Sequence, residues 1–210
     1  LTAEGIAART AAAIAARWLQ HGDFLLAQLP EAFDVVIGNP PYVRQEMIPD
    51  VLLVEYRSRY TTIYDRADLY IPFIERSLRL LRKGGVLGFI CADRWMKNRY
   101  GGPLRALVAS EFHLKVHVDM TNTSAFHSDV IAYPAITIIT RERPGVTRLG
   151  HRPEIDGNVL SGLAKQLLAK RLRKGSSSVR ELTGVTAGSQ PWILASSNKL
   201  ALVRRLEQDF

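Results

Sequence analysis

Six residues, FDVVIG at 33–38, run without a break into Asn39, Pro40, Pro41 and Tyr42, and this junction narrows the folds open to the chain. β-Branched side chains suit a pleated surface, and an apolar run without polar alternation is typical of a strand covered on both faces, as in parallel sheets. Proline has no backbone N–H, so the ladder must end where the two prolines begin. Three more apolar runs follow: GVLGFICA (85–92), LKVHVDM (114–120) and AYPAITIIT (132–140). Helical segments separate most of them. An Ala-rich stretch at 3–20 has no Gly or Pro after Gly5 and reads as a helix. In ADLYIPFIERSLRLLRKGG, Tyr70, Phe73, Ile74, Ser77, Leu78 and Leu81 recur at helical spacing, with Asp68 as the expected N-cap and Gly84 as the expected stop. Pro103 can open another helix, to about Glu111.

Strands alternating with helices predict an α/β fold built on a mostly parallel sheet. The 132–140 strand follows 114–120 with no helical crossover between them, so it must run antiparallel. The expected strand order is 33–38, 85–91, 132–140, 114–120, which leaves 33–38 as an exposed apolar edge. Beyond Pro144 the pattern breaks up. A helix near 160–173, a GSSS hinge at 175–178 and a last helix from about Ser197 are expected there. The chain therefore divides on this reading into a catalytic-domain portion, 1–144, and a basic connector, 145–210.

Charge and cysteine usage bound the setting. The net charge is +8, which points to a polyanionic partner. Residues 141–180 hold ten Lys and Arg against three acids, so nearly all of the excess lies in this one segment. Read alone such a run is a solvated linker; beside a nucleic-acid enzyme it is a DNA-facing surface. Cys91 is the only cysteine and sits within an apolar run, which excludes a disulfide framework and fits a reducing compartment, the cytoplasm. No apolar stretch has the length of a membrane span and no signal peptide opens the chain, so no membrane partner is expected. The histidines have no metal-ligand spacing, and no metal is expected. The first residue is Leu1, consistent with an excerpt of a longer chain.

The chemistry concentrates after 33–38. In parallel α/β sheets ligands bind beyond the carboxyl ends of strands, where Asn39 to Tyr42 fall. Prolines donate no hydrogen bond, so carbonyls in this loop can face a ligand; Asn39 adds an amide acceptor and Tyr42 a flat ring. Two acceptors beside an aromatic platform suit a planar group bearing an NH₂, such as a nucleobase amine. A rigid Pro-Pro turn with an incidental aromatic is the plain alternative, and the apolar strand leading into the loop argues against it.

VVIGNPPY resembles the signature loop of amino-methyltransferases that use S-adenosylmethionine, and its surroundings resemble the gamma-type adenine-specific DNA methyltransferases of bacterial restriction-modification systems. HGDFL (21–25) resembles the motif whose acid and aromatic hold the cofactor's adenine, which casts Asp23 and Phe24. ADLYIPFIERSL and LRKGGVLGFICADRWM resemble the family's following helix and strand. SAFHSDVIAYPAITII resembles the motif whose aromatic packs on the flipped target base, which casts Phe126. The resemblance implies a partial Rossmann-like methyltransferase fold with one antiparallel strand and its first strands missing. It assigns Asn39, Pro40, Pro41 and Tyr42 to catalysis, Asp23, Phe24 and Asn39 to the cofactor, and Tyr42 and Phe126 to the substrate base. Trp95 and Lys97 are candidates to line the DNA cleft.

The implied reaction transfers a methyl group to the 6-amino group of adenine in double-stranded DNA. A restriction subunit or fused nuclease is an implied partner, and self-association through the strand edge is a further one. The family's glycine-containing cofactor loop is absent from these residues, so the chain alone is expected to bind S-adenosylmethionine weakly or not at all and to be inactive. NPPY also occurs in RNA and protein-glutamine amino-methyltransferases, which a substrate panel would separate. A non-catalytic DNA-binding or assembly module of a phage-defence system is the reading from a different class, and a glycine-rich motif directly upstream in the parent gene would argue against it.

Overall fold

The computed structural model describes residues 1–125, 134–172, 178–186 and 188–194. Within them β1 (Phe33–Gly38), β2 (Leu81–Ala92), β3 (His113–Asp119), β4 (Pro134–Thr140), β5 (Thr147–His151) and β6 (Val179–Leu182) form one sheet in the order β1-β2-β4-β3-β5-β6. The first four strands stand in the order expected from sequence. β1 is parallel to β2, and β4 runs antiparallel to both β2 and β3. The carboxyl ends of β1, β2 and β3 therefore lie along one edge of the sheet. β5 is parallel to β3, so its carboxyl end joins them.

Two features correct the sequence expectation. The sheet has a second antiparallel strand, β6, paired with β5, where sequence reading expected only one and placed no strand beyond Thr140. TRLGH and VREL are short and interrupted by charge, Arg148 in the first and the adjacent Arg180 and Glu181 in the second, so they lack the apolar continuity that betrays β2 and β4. Secondly, β1 is half-covered at best: Val35 is 51% and Ile37 81% exposed. Its composition fits a strand buried on both faces, which these exposures contradict; its edge position, with β2 as its one neighbour among the described residues, is the one expected from sequence.

α3 (Tyr70–Arg79) and α4 (Gly102–Glu111) pack on one face of the sheet, where Ile71, Ile74, Leu78, Leu104 and Val108 join Leu87, Leu114 and Ile139 in the main core. α5 (Gly157–Leu168) lays Leu163 and Leu167 on the opposite face against Val116, Val118, Ile136 and Ile138. The split follows the two-residue period of strands, with Ile139 serving one core and Ile138 the other. Asp156 caps α5, accepting from the backbone N–H of Asn158 and Val159.

The remaining helices, α1 (Ala8–Trp18) and α2 (Asp50–Arg59), flank these layers. The helix expected at 3–20 is shorter than its composition suggests. Asp68 does not cap α3: Leu69 occupies the N-cap position without a side-chain bond, and its N–H instead donates to the Val43 carbonyl at 2.8 Å. Gly84 is no helix stop either, because α3 ends at Arg79 and β2 begins at Leu81. It sits within β2 at φ +76°, next to Gly85, where a Cβ would come within 2.9 Å of the Arg82 and Phe33 carbonyl oxygens. The glycine pair is an elbow that lets β2 meet β1. The helix expected from Ser197 and part of the GSSS hinge lie outside the described residues.

Candidate active site

Asn39 and its neighbours leave the carboxyl end of β1, as the sequence predicts. Gly38 allows this approach, since a Cβ there would stand 3.0 Å from the Phe89 ring on β2. Pro40 is buried, whereas Asn39 and Pro41 are exposed. Tyr42 is 47% exposed; its ring lies 6.1 Å from that of Tyr70, tilted by 41°. Its hydroxyl makes a long contact, 3.5 Å, to the Ile90 carbonyl. Burial, then the nearby Cys91, pushes the phenol up to about 12. Tyr42 therefore stays neutral at working pH and offers a ring face.

Asp23 and Phe24 begin a tight turn. The Asp23 carboxylate accepts from Leu25 N at 2.7 Å, while its backbone carbonyl accepts from Leu26 and Ala27. The other carboxylate oxygen accepts from the Tyr56 hydroxyl of α2. Phe24 packs against Phe73 at 4.9 Å, with the Arg76 guanidinium 5.3 Å from its ring centroid. Arg76 also donates to the carbonyls of Leu25 and Ala27, and Tyr60 donates to Leu25 O at 2.5 Å.

α3 is the element common to both loops. Tyr70 meets Tyr42, Phe73 meets Phe24, and residues three apart share a helix face. The structure thus stations both motif loops on one helix. Phe126 falls outside the described residues. Trp95 does not line an open cleft: it is fully buried, edge-on to Trp192 at 5.2 Å. Lys97 is exposed and pairs with Asp93 at 2.7 Å.

Of a second group of polar residues on the same sheet edge, sequence reading named Lys97 alone. A cleft of about 640 Å³ is lined by Asp93, Lys97, His117, Asp119, His151 and Arg180, among others. Asp93 follows β2 directly, and His117 of β3 stands 3.5 Å from its carboxylate. Burial pushes Asp93 upward, but the hydrogen bonds of His117 and Lys97 outweigh it and hold the carboxyl below its ordinary range. Acids just after β2 and at the end of β3, in ADRW and HVDM, were the available signal. Among the described residues no group of three or more His, Cys, Asp or Glu is arranged to hold a metal ion, and no helix is long and apolar enough to cross a membrane.

The profile of the Eco57I restriction-modification methylases matches residues 9–126, more than half of the chain. The chain belongs to this family. Members similar to it include the type II methyltransferase M.PaeR7I of Pseudomonas aeruginosa, 66% identical over 210 residues, covering 100% of this chain and 37% of that protein. M.XhoI of Xanthomonas vasicola is 53% identical over 208 residues, covering 97% of this chain and 38% of its own length. The chain thus spans well under half of these relatives. In fold it is similar to a class I S-adenosylmethionine-dependent methyltransferase from Listeria monocytogenes, with a TM-score of 0.55 at 19% identity, covering 68% of this chain and 44% of that one. Its homology to type II methyltransferases of restriction-modification systems accords with the motifs on its sheet edge.

S-Adenosylmethionine is the cofactor this family implies, and the residues present fit its adenine end. A carboxylate can accept about four hydrogen bonds, and Asp23 uses two of them within the described residues. Phe24 beside it is only half-buried, so an acceptor and an aromatic ring stand together where a purine could reach both.

Proposed function

We propose that the protein carrying this chain is a site-specific DNA methyltransferase acting on the 6-amino group of adenine in a restriction-modification or phage-defence system in the bacterial cytoplasm. The observation that carries this reading is the exposed Asn39 amide in its Pro-Pro-Tyr frame, at the carboxyl end of β1 and joined through α3 to Asp23 and Phe24. When bound, S-adenosylmethionine supplies an electrophilic methyl group on a sulfonium. Asp23 would accept a hydrogen bond from the adenine amine of the cofactor, and Phe24 would pack on that base.

The target adenine must leave the duplex, at a cost of a few kcal/mol in stacking and pairing. Stacking on Tyr42, worth roughly 1–3 kcal/mol, offsets much of that, and Phe126 is the second residue the family resemblance assigns to the base. The Asn39 side-chain oxygen and the Pro40 carbonyl accept the two amine hydrogens. This holds the nitrogen lone pair outward for attack and draws off positive charge as it develops on that nitrogen. Pro41 fixes the turn that lets both acceptors converge. No side chain need form a covalent bond to substrate.

We assign the glycine-containing cofactor loop, the ribose-binding acid and the strands that would flank β1 to the part of the parent protein outside these residues. Residues 145–210 lead, on this reading, toward a target-recognition domain, and a nuclease or restriction subunit completes the system. The decisive experiment is Asn39→Ala in the full-length protein. Methylation of adenine in duplex DNA should fall below detection while DNA affinity stays within a few-fold, because phosphate contacts dominate that affinity. Turnover near the unmutated level would remove the mechanism.

A further inference from the structure

Resting on the reading of Asp23 as the acceptor for the cofactor's adenine, we propose that Tyr56 is a positioning residue that aims this carboxylate and so sets the preference for a 6-amino purine. Tyr56 is 4% exposed and belongs to α2, thirty-three residues from Asp23 in sequence. A free carboxylate rotates about its last side-chain torsion and offers its lone pairs in any direction. Here both oxygens are tied from different elements: Leu25 N holds Oδ1 from within the turn, and the Tyr56 hydroxyl holds Oδ2 from α2. The plane of the carboxylate is thereby set, and each oxygen keeps one lone pair for a ligand.

The phenol is suited to this task. Burial, and then the hydrogen bond to Asp23, raises its pKa far above the ordinary tyrosine range, so it remains a donor at every working pH. α2 is in turn fastened to the same turn by a neighbouring bond, from Tyr60 to Leu25 O, and by an apolar cluster in which Tyr56, Tyr60 and Leu25 are buried. The segment between the Asn39 loop and α3 therefore reaches the Asp23 carboxylate through the Tyr56 hydroxyl.

This separates two functions that α2 could serve. Tyr60 bonds the backbone of the turn and not the carboxylate, so its loss should loosen the turn without rotating the Asp23 side chain. Tyr56→Phe removes one oxygen, keeps the ring in its cluster, and frees Oδ2. Discrimination between an amine, which donates, and a carbonyl oxygen, which Asp23 would repel, should respond only to the second change.

The test is calorimetric binding of S-adenosylhomocysteine and of its 6-oxo counterpart, S-inosylhomocysteine, to the full-length protein. Wild type should prefer the amine. Tyr56→Phe should cut that preference about tenfold, the scale of one charge-assisted hydrogen bond. Tyr60→Phe should weaken both ligands alike and leave the ratio in place, and in an Asp23→Asn background Tyr56→Phe should change the ratio no further. A Tyr56→Phe protein that keeps the wild-type ratio overturns the role of Tyr56 alone. A wild-type protein with no preference overturns the role of Asp23 and this inference with it.

Discussion

At Tyr42 a ring and a hydroxyl can be told apart, because the ring faces Tyr70 while the hydroxyl's bond to Ile90 O is long, at 3.5 Å. Tyr42→Phe should retain methylation within a few-fold, whereas Tyr42→Ala should lose ten-fold or more through lost stacking; single-turnover rates on duplex substrate would rank the two, and equal losses would mean that the hydroxyl matters. Glu142 offers a test of electrostatics. Burial pushes its carboxyl upward, but hydrogen bonds with His113 and Lys115 outweigh it and bring it to about 2, from an ordinary value of 4.5. A depressed carboxylate stabilises the fold above the unfolded-state value and ceases to do so as pH falls through the folded one. The stability gap between wild type and Glu142→Gln, measured by urea unfolding, should therefore be full near neutrality and close between about pH 4.5 and pH 2. At this scale the place of Asn39-Pro40-Pro41-Tyr42, directly beyond the carboxyl end of β1, was readable from the apolar strand and the prolines that end it. The sequence was silent on Tyr56 and on the Asp93–His117 contact, since each depends on a partner brought near only by folding.

Among the elements, α3 carries the most consequence, and its hold on the chain before it depends on Glu75. This side chain is fully buried; it accepts from Thr62 N at 2.9 Å and pairs with Arg79 at 2.6 Å. Arg79 is half-exposed, so the pair itself is worth little. The bond to Thr62 N is different, because removing the acceptor strands a buried amide. Glu75→Ala should cost about 2–3 kcal/mol, and Glu75→Gln, which can still accept, clearly less; thermal melts would show the order, and an equal loss in both would assign the effect to charge. The helix itself was legible from the spacing of Tyr70, Ile74 and Leu78, β2 and β4 from apolar runs, and β3 from Leu114, Val116 and Val118 alternating with polar residues. Helix ends were not. The chain at Leu69 is fixed by a backbone bond to Val43, a long-range constraint that overrides the local promise of Asp68. β5 and β6 escaped for a related reason: their register comes from pairing with β3 and with each other, not from their own composition.

For the whole molecule, two surface properties bear on partners. The basic excess of 141–180 is less available than a count suggests, because Arg141 bonds the Leu81 carbonyl, Arg148 bonds Glu181 and the carbonyls that end α5, and Arg152 bonds Asp119. Arg143, Lys165, Lys170, Arg171 and Arg180 remain exposed and are the stronger candidates for phosphate contact. The other property is the β1 edge. One flank of β1 bonds to β2, and the opposite flank has no strand partner among the described residues, while Ile37 is 81% exposed at its carboxyl end. An apolar edge with open backbone groups recruits another strand unless a charge or proline blunts it, and the prolines here come only after the strand has ended. Val35, the other large side chain on this strand's open surface, is 51% exposed. The 210-residue chain on its own should therefore associate with a second copy through β1, its apparent mass in light scattering rising with concentration and its amides at 33–38 becoming protected as it does. Ile37→Lys places a charge on the edge and should return the chain to monomer without lowering its melting temperature by more than a few degrees, since that side chain is buried against nothing. A wild-type chain that stays monomeric at every concentration, with amide exchange at 33–38 unchanged, would mean that other parts of the chain already cover the edge.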